Sequence, residues 1–168
     1  MMYEQFTQFT KMFHNLSLIL DKAQKYAETK KIEPETLGTL RLTADMLPLA
    51  RQVMIACDAA KIGAARLTGK DAPVNDDKEK TIPELKSRLE STMGFLSSLK
   101  EADFKGWEER KITQPRWEGK WMTGKEYFHQ HIVPNVYFHV TTTYAILREN
   151  GVEIGKKDYL GEMPYKMP

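Results

Sequence analysis

The sequence predicts an all-α fold, an antiparallel four-helix bundle. Three observations predict it. Apolar residues recur at threes and fours through most of the chain, the spacing that lays one apolar stripe along a helix. The breaks between these runs are short and carry proline, glycine or clustered charge. Two Thr-x-x-Glu signatures stand where helical runs begin, and that spacing lets each side chain satisfy the other's backbone donor.

The first run places Phe6, Phe9, Phe13, Leu16, Leu20 and Ala23 on one face, so a helix is expected over about residues 3–28. Lys30, Lys31 and Pro34 close it. Leu37, Leu40 and Leu42 suggest a short helix or turn before Pro48. A second long helix follows through Leu47, Ala50, Met54, Cys57, Lys61 and Ala64, ending at Gly69. Its many small residues allow a neighbouring helix to approach closely. Residues 70–80, KDAPVNDDKEK, read as a surface loop. Thr81 and Glu84 start a third helix, with Leu85, Leu89, Met93 and Leu96 on its apolar face. Residues 101–122 break the pattern and hold Trp107, Trp117 and Trp121, with RWEGKW as a candidate tight hairpin. Thr123 and Glu126 start a short helix expected to stop before Pro134. The last helix then runs from Pro134, which needs no amide donor there, to Gly151 just past its end. Residues 1–155 form the expected bundle domain and residues 156–168 an irregular tail.

Composition narrows the function. The 168 residues suffice for one domain that folds without staples. A net charge of +2 is too small for nucleic-acid or membrane-surface binding by bulk charge. No apolar run reaches the length of a spanning helix, and the amino terminus does not read as a secretion signal. The single cysteine, Cys57, excludes an internal disulfide, so a cytoplasmic location is expected.

Candidate chemistry concentrates near the last helix. His131, Asn135 and His139 are four apart and would align on a continuous helix, though Pro134 argues against continuity. A His-x3-His pair grips a divalent ion well, but here the pair reads Asn-x3-His, and an amide oxygen is a weak ligand for zinc or nickel. On spacing alone His139 reads as a hydrogen-bonded bundle residue. Gln52 and Asp58 lie on the second long helix, and Asp58 reads as a salt bridge to Arg51 or Lys61. Cys57 reads as a small core residue. His129 and His131 cannot share a helical face, and His14 reads as partly exposed. In the tryptophan segment, acids largely cancel the bases, so it reads as a lid with inward-packed rings and not as a nucleic-acid surface. No phosphate-cradling glycine loop, nucleophile elbow or paired-cysteine site is present.

Two long stretches carry a resemblance: MLPLARQVMIACDAAKIGAARLTG, residues 46–69, and TGKEYFHQHIVPNVYFHVTTTYAILRENGVEIGKKDYLG, residues 123–161. They resemble an uncharacterised bacterial family, a domain of unknown function (DUF 1993), allied to the DinB-like and YfiT-like metalloenzyme superfamily. The resemblance implies a DinB-like four-helix bundle, often a homodimer. It implies that metal-bearing relatives hold a divalent ion with three histidines, one from the second helix and an H-x3-H pair from the last. Some of those relatives are thiol-dependent transferases or isomerases. Leu147, Arg148 and Gly151 place the second histidine of the pair at His139 and the first at Asn135. Gln52, Ile55 and Asp58 are the candidates for the second-helix position. One histidine of three is therefore kept.

Two readings follow. The first is a non-catalytic domain with a degenerate metal site, dimeric, either structural or binding a small molecule at Gln52, Asp58, Asn135 and His139. The alternative is a metal-dependent enzyme of the thiol-transferase or isomerase type, centred on His139 with Asn135, Gln52 or His131 and using zinc or nickel. No cofactor is assured, and the sequence leaves catalysis open.

Overall fold

The structure, a computed structural model, describes residues 2–167; positions 1 and 168 of the expected domain bounds lie outside them. Of the described residues, 65% are helical. Four long helices dominate: α1 (Met2–Lys30), α3 (Leu49–Thr68), α4 (Ile82–Ser98) and α6 (Val133–Glu149). α3 packs on α4 and α6, and α1 packs on the same two, so the four enclose one core. Phe6, Phe9, Phe13, Leu16 and Leu20 of α1 are fully enclosed there. Each such side chain contributes about 1.5–3 kcal/mol by leaving water.

The helix ends follow local chemistry. Thr81 and Glu84 form the capping box at α4, with the Glu84 carboxylate accepting from the Thr81 amide at 2.9 Å. Gly69 closes α3. Gly151 follows the carboxyl-terminal end of α6 at φ 88°, where a Cβ would be strained. The short helix before Pro48 is α2 (Thr36–Thr39).

The tryptophan segment does contain a hairpin. β1 (Lys111–Thr113) pairs antiparallel with β2 (Trp121–Thr123), with Thr113 opposite Trp121. The strands lie outside most of RWEGKW, which instead forms the connection. Trp107 and Trp117 pack against the core, whereas Trp121 is 53% exposed, so one ring of the expected lid faces outward.

Two expectations are corrected. The chain does not stop its helix before Pro134. It is helical from α5 (Gly124–Tyr127) into α6, through one wide turn over Phe128–Ile132. In that turn the Val133 amide donates to the Phe128 carbonyl, five residues back. A proline has no amide to donate and its ring crowds the preceding turn. Widening the turn by one residue accommodates both problems without ending the helix. The tail is also not irregular throughout. Residues 156–160 form α7 (Lys156–Leu160), which docks on α1. Lys22 pairs with Asp158 at 2.7 Å, and the buried Asn15 amide donates to the Tyr159 carbonyl at 3.0 Å.

Candidate functional site

The seam between α3 and α6 holds the pair that the sequence singles out. Gln52 is buried on the first turns of α3, and His139 is 8% exposed in the middle of α6. The Gln52 Oε1 and His139 Nδ1 atoms lie 2.6 Å apart. The amide orientation is fixed from the other side, because Gln52 Nε2 donates to the Leu47 carbonyl at 2.9 Å. A carbonyl can only accept, so it must meet the NH2 end of the amide. Oε1 therefore faces the imidazole, and His139 Nδ1 must carry the proton it donates. The neutral ring then keeps its lone pair on Nε2. Burial lowers the His139 pKa, which favours this neutral form. Thr143 Oγ1 donates to the His139 backbone carbonyl at 2.9 Å and ties down the same turn.

Asn135 lies one turn earlier but turns its amide elsewhere. Its Nδ2 donates to the His131 carbonyl at 2.6 Å, in the region that Pro134 interrupts. The His131 ring stacks on Tyr127 at 5.0 Å between centroids and meets the edge of Trp117 at 6.0 Å. Its Nε2 lies 3.1 Å from the Arg116 guanidinium, which can only donate. Its Nδ1 is buried without a partner. Burial first, then the charges of Arg116 and Arg66, lower the His131 pKa. His129 and His14 are exposed.

Asp58 belongs to a different cluster, on the side of α3 that meets α4. Its Oδ1 forms ion pairs with the buried Lys61 ammonium at 3.2 Å and with the Arg88 guanidinium at 2.8 Å. Arg88, 2% exposed on α4, also pairs with Asp77 at 2.7 Å and Glu79 at 2.8 Å, in the segment before α4. Burial opposes the Arg88 charge, but the Glu79 and Asp77 carboxylates outweigh it and raise its pKa. Lys61 also donates to the Asn75 side chain. Cys57 sits beside this cluster, and burial pushes its thiol up to about 12. It is a core residue without nucleophilic character at neutral pH.

Of the four candidate pocket residues, the structure brings together Gln52 and His139. It sends Asp58 to the ion cluster and Asn135 to the His131 backbone. The same geometry tests a metal centre. Among the described residues no three His, Cys, Asp or Glu side chains are placed to hold one ion. Of the wider candidate set, Gln52 Oε1 already accepts from His139, Asn135 presents its amide nitrogen to a carbonyl, and His131 faces a guanidinium. One free imidazole nitrogen does not make a divalent site. The residues present do not fit the three-histidine centre that the resemblance implies.

Sequence reasoning offered Arg51 or Lys61 as the partner of Asp58, and Lys61 is one, but it missed Arg88, Asp77 and Glu79. A signal existed: Arg88 falls within the stripe Leu85, Leu89, Thr92 and Leu96 that faces the core. A cation in such a stripe requires buried acids. The Leu47 carbonyl, which fixes Gln52, had no signal, because a backbone acceptor is silent in sequence.

No match is found among curated proteins. Among solved structures the chain is similar to the crystal structure of a DinB family member protein from Shewanella denitrificans. The two are 53% identical with a TM-score of 0.92, over 97% of this chain and 93% of that one. The family model of the domain of unknown function DUF1993 matches residues 2–160, which include α7. The mostly helical architecture agrees with these likenesses, and the chain belongs to the DUF1993 family, allied to the DinB-like proteins.

Proposed function

We propose that this chain is an antiparallel four-helix bundle of the DinB-like type that works without a metal, as a cytoplasmic homodimer with a structural or small-ligand-binding role. One observation carries the metal-free part: the amide of Gln52 is fixed by the Leu47 carbonyl and takes the His139 Nδ1 proton at 2.6 Å. Where metal-bearing relatives would place a second-helix ligand, this chain places a hydrogen-bond acceptor for its one remaining histidine. The pair then ties α3 to α6 across the seam. Such a buried neutral pair, with its hydrogen bonds made, favours one helix register over its neighbours. The dimer rests on the resemblance to DinB-like bundles, which are often homodimers.

One observation favours the alternative, a divalent-metal-dependent enzyme centred on His139. The tautomer set by Gln52 leaves the Nε2 lone pair free, the form in which an imidazole binds an ion. The donors needed around it are not supplied by Asn135, His131 or Asp58, each committed elsewhere.

Metal binding separates the two. Protein stripped with a chelator is offered zinc, nickel, iron(II) and manganese in turn, then dialysed and analysed for each element beside His139→Ala. The metal-free reading expects no ion near one per chain and no difference between the two proteins. A near-stoichiometric ion that disappears in His139→Ala would overturn it. Light scattering of the eluting protein tests the dimer, and a mass of one chain at micromolar concentration would remove that part.

A further inference from the structure

A second cleft, remote in chemistry from the Gln52–His139 seam, lies where α2, the first turns of α3 and the 77–80 segment meet. It has a volume of about 500 Å³. Its walls are held in place from outside. Gly38 lets α2 approach the Lys80 carbonyl so closely that a Cβ there would overlap the oxygen. Asp77 and Glu79 are pinned by Arg88 at 2.7 and 2.8 Å. Pro48, Ala50 and Met54 give the cleft an apolar lining.

The charges around this cleft are unevenly matched. Its acids each have a cation: Asp77 and Glu79 have Arg88, and Glu35 has Lys80 at 4.0 Å. Lys78 has Asp76 at 3.7 Å. Arg41 donates to the Met46 carbonyl. Arg51, half-buried, has the Met54 sulfur at 3.6 Å as its described side-chain partner. Among the described residues neither arginine meets a carboxylate. A guanidinium partly withdrawn from water and facing a thioether has lost hydration without gaining an anion.

We propose that this cleft binds a small organic monoanion, a carboxylic acid with a short apolar body. The Arg51 guanidinium takes the carboxylate in the paired N–H···O geometry that this fork favours. Pro48, Ala50 and Met54 cover the apolar body. The apolar lining favours a carboxylate that carries an apolar body over inorganic phosphate, which has none to bury. This site is independent of the metal-free reading of His139, and the metal analysis does not decide it.

The test is calorimetric titration of the full chain with hexanoate, benzoate, hexanamide and inorganic phosphate. The expected result is one saturable site for a carboxylate, with hexanamide and phosphate weaker by about tenfold or more, the effect of losing a charge-assisted hydrogen bond. Arg51→Met should weaken hexanoate binding by about tenfold or more, while Arg51→Lys keeps part of it. A thermal melt checks that Arg51→Met is folded. If it is not, the hexanoate–hexanamide difference and Arg51→Lys carry the test. The proposal is overturned if neither carboxylate binds, if acid and amide bind alike, if phosphate binds more tightly, or if folded Arg51→Met binds hexanoate as the parent does.

Discussion

The two sides of α3 bury polar groups in opposite ways. Toward α6, Gln52 and His139 form one neutral hydrogen bond, and the amide is anchored by a backbone carbonyl. Toward α4, Arg88 gathers Asp58, Asp77 and Glu79, with Lys61 sharing Asp58. The neutral pair requires little desolvation and fixes one contact between two helices. The ionic cluster requires several charges to leave water, and it is tolerable only while every charge keeps its partners. The difference shows why the seam that the sequence singles out for chemistry is the quieter of the two. A histidine kept neutral by burial and oriented by an amide ties two helices together, whereas a buried guanidinium with three carboxylates organises a whole loop.

The largest expected effect breaks the ionic side. Arg88→Met leaves three carboxylates near one another with Lys61 as the remaining buried cation, and should destabilise the chain by about 3–5 kcal/mol in urea unfolding. The segment before α4 should also become sensitive to protease, because Arg88 anchors Asp77 and Glu79. On the neutral side, His139→Ala removes a mostly buried ring and strands the Gln52 acceptor, at a cost of about 2–3 kcal/mol. Gln52→Met keeps volume but removes the acceptor of the imidazole and the donor to the Leu47 carbonyl, so about 1–2 kcal/mol is expected. The double variant should cost less than the sum, by about 1 kcal/mol, if the pair is coupled as the geometry requires.

A pH titration sharpens the same contrast. The His139 and His131 pKa values are both lowered, chiefly by burial. The unfolded chain therefore takes up protons first, near the ordinary histidine value of about 6.5. Stability should fall as pH drops below that value and level off once the folded-state values are passed. Protonation leaves the His139 bond to Gln52 intact, because Nδ1 still donates. At His131 it removes the acceptor that Arg116 uses. Chemical unfolding at pH 7 and pH 5 should thus show a loss that His131→Phe reduces more than His139→Phe does. The smallest effect is Asn135→Ala, which loses one hydrogen bond to a backbone carbonyl and should cost about 1 kcal/mol or less.

The parts of the fold that were legible are those set by neighbours in sequence. Thr81 with Glu84 and Thr123 with Glu126 cap helices through side chains three residues apart, so their role can be read directly. The periodicity of Phe6, Phe9 and Phe13 showed the buried face of α1 in the same way. Pro134 was legible as a disturbance but not as a widened turn. Both outcomes satisfy a missing amide, and the choice depends on packing against α3 and the hairpin. That turn also decides the site, since it carries His131 to Tyr127, Trp117 and Arg116. At the second-helix position the resemblance offered Gln52, Ile55 and Asp58. Choosing among them required the direction of α6, which no local pattern records. Arg88 and α7 were missed for the same reason, because their partners lie on other elements.

A nitrogen-15 NMR spectrum correlating the His139 ring nitrogens with their carbon-bound protons, with and without zinc, reads the tautomer and any metal bond in one experiment. Assignment comes from the resonances lost in His139→Ala. At neutral pH a protonated Nδ1 and an unprotonated Nε2 are expected, unchanged by one equivalent of zinc, with a shift of both in Gln52→Met. A protonated Nε2 would overturn the Gln52-set tautomer, and a zinc-dependent movement of that nitrogen at one equivalent would overturn the metal-free reading.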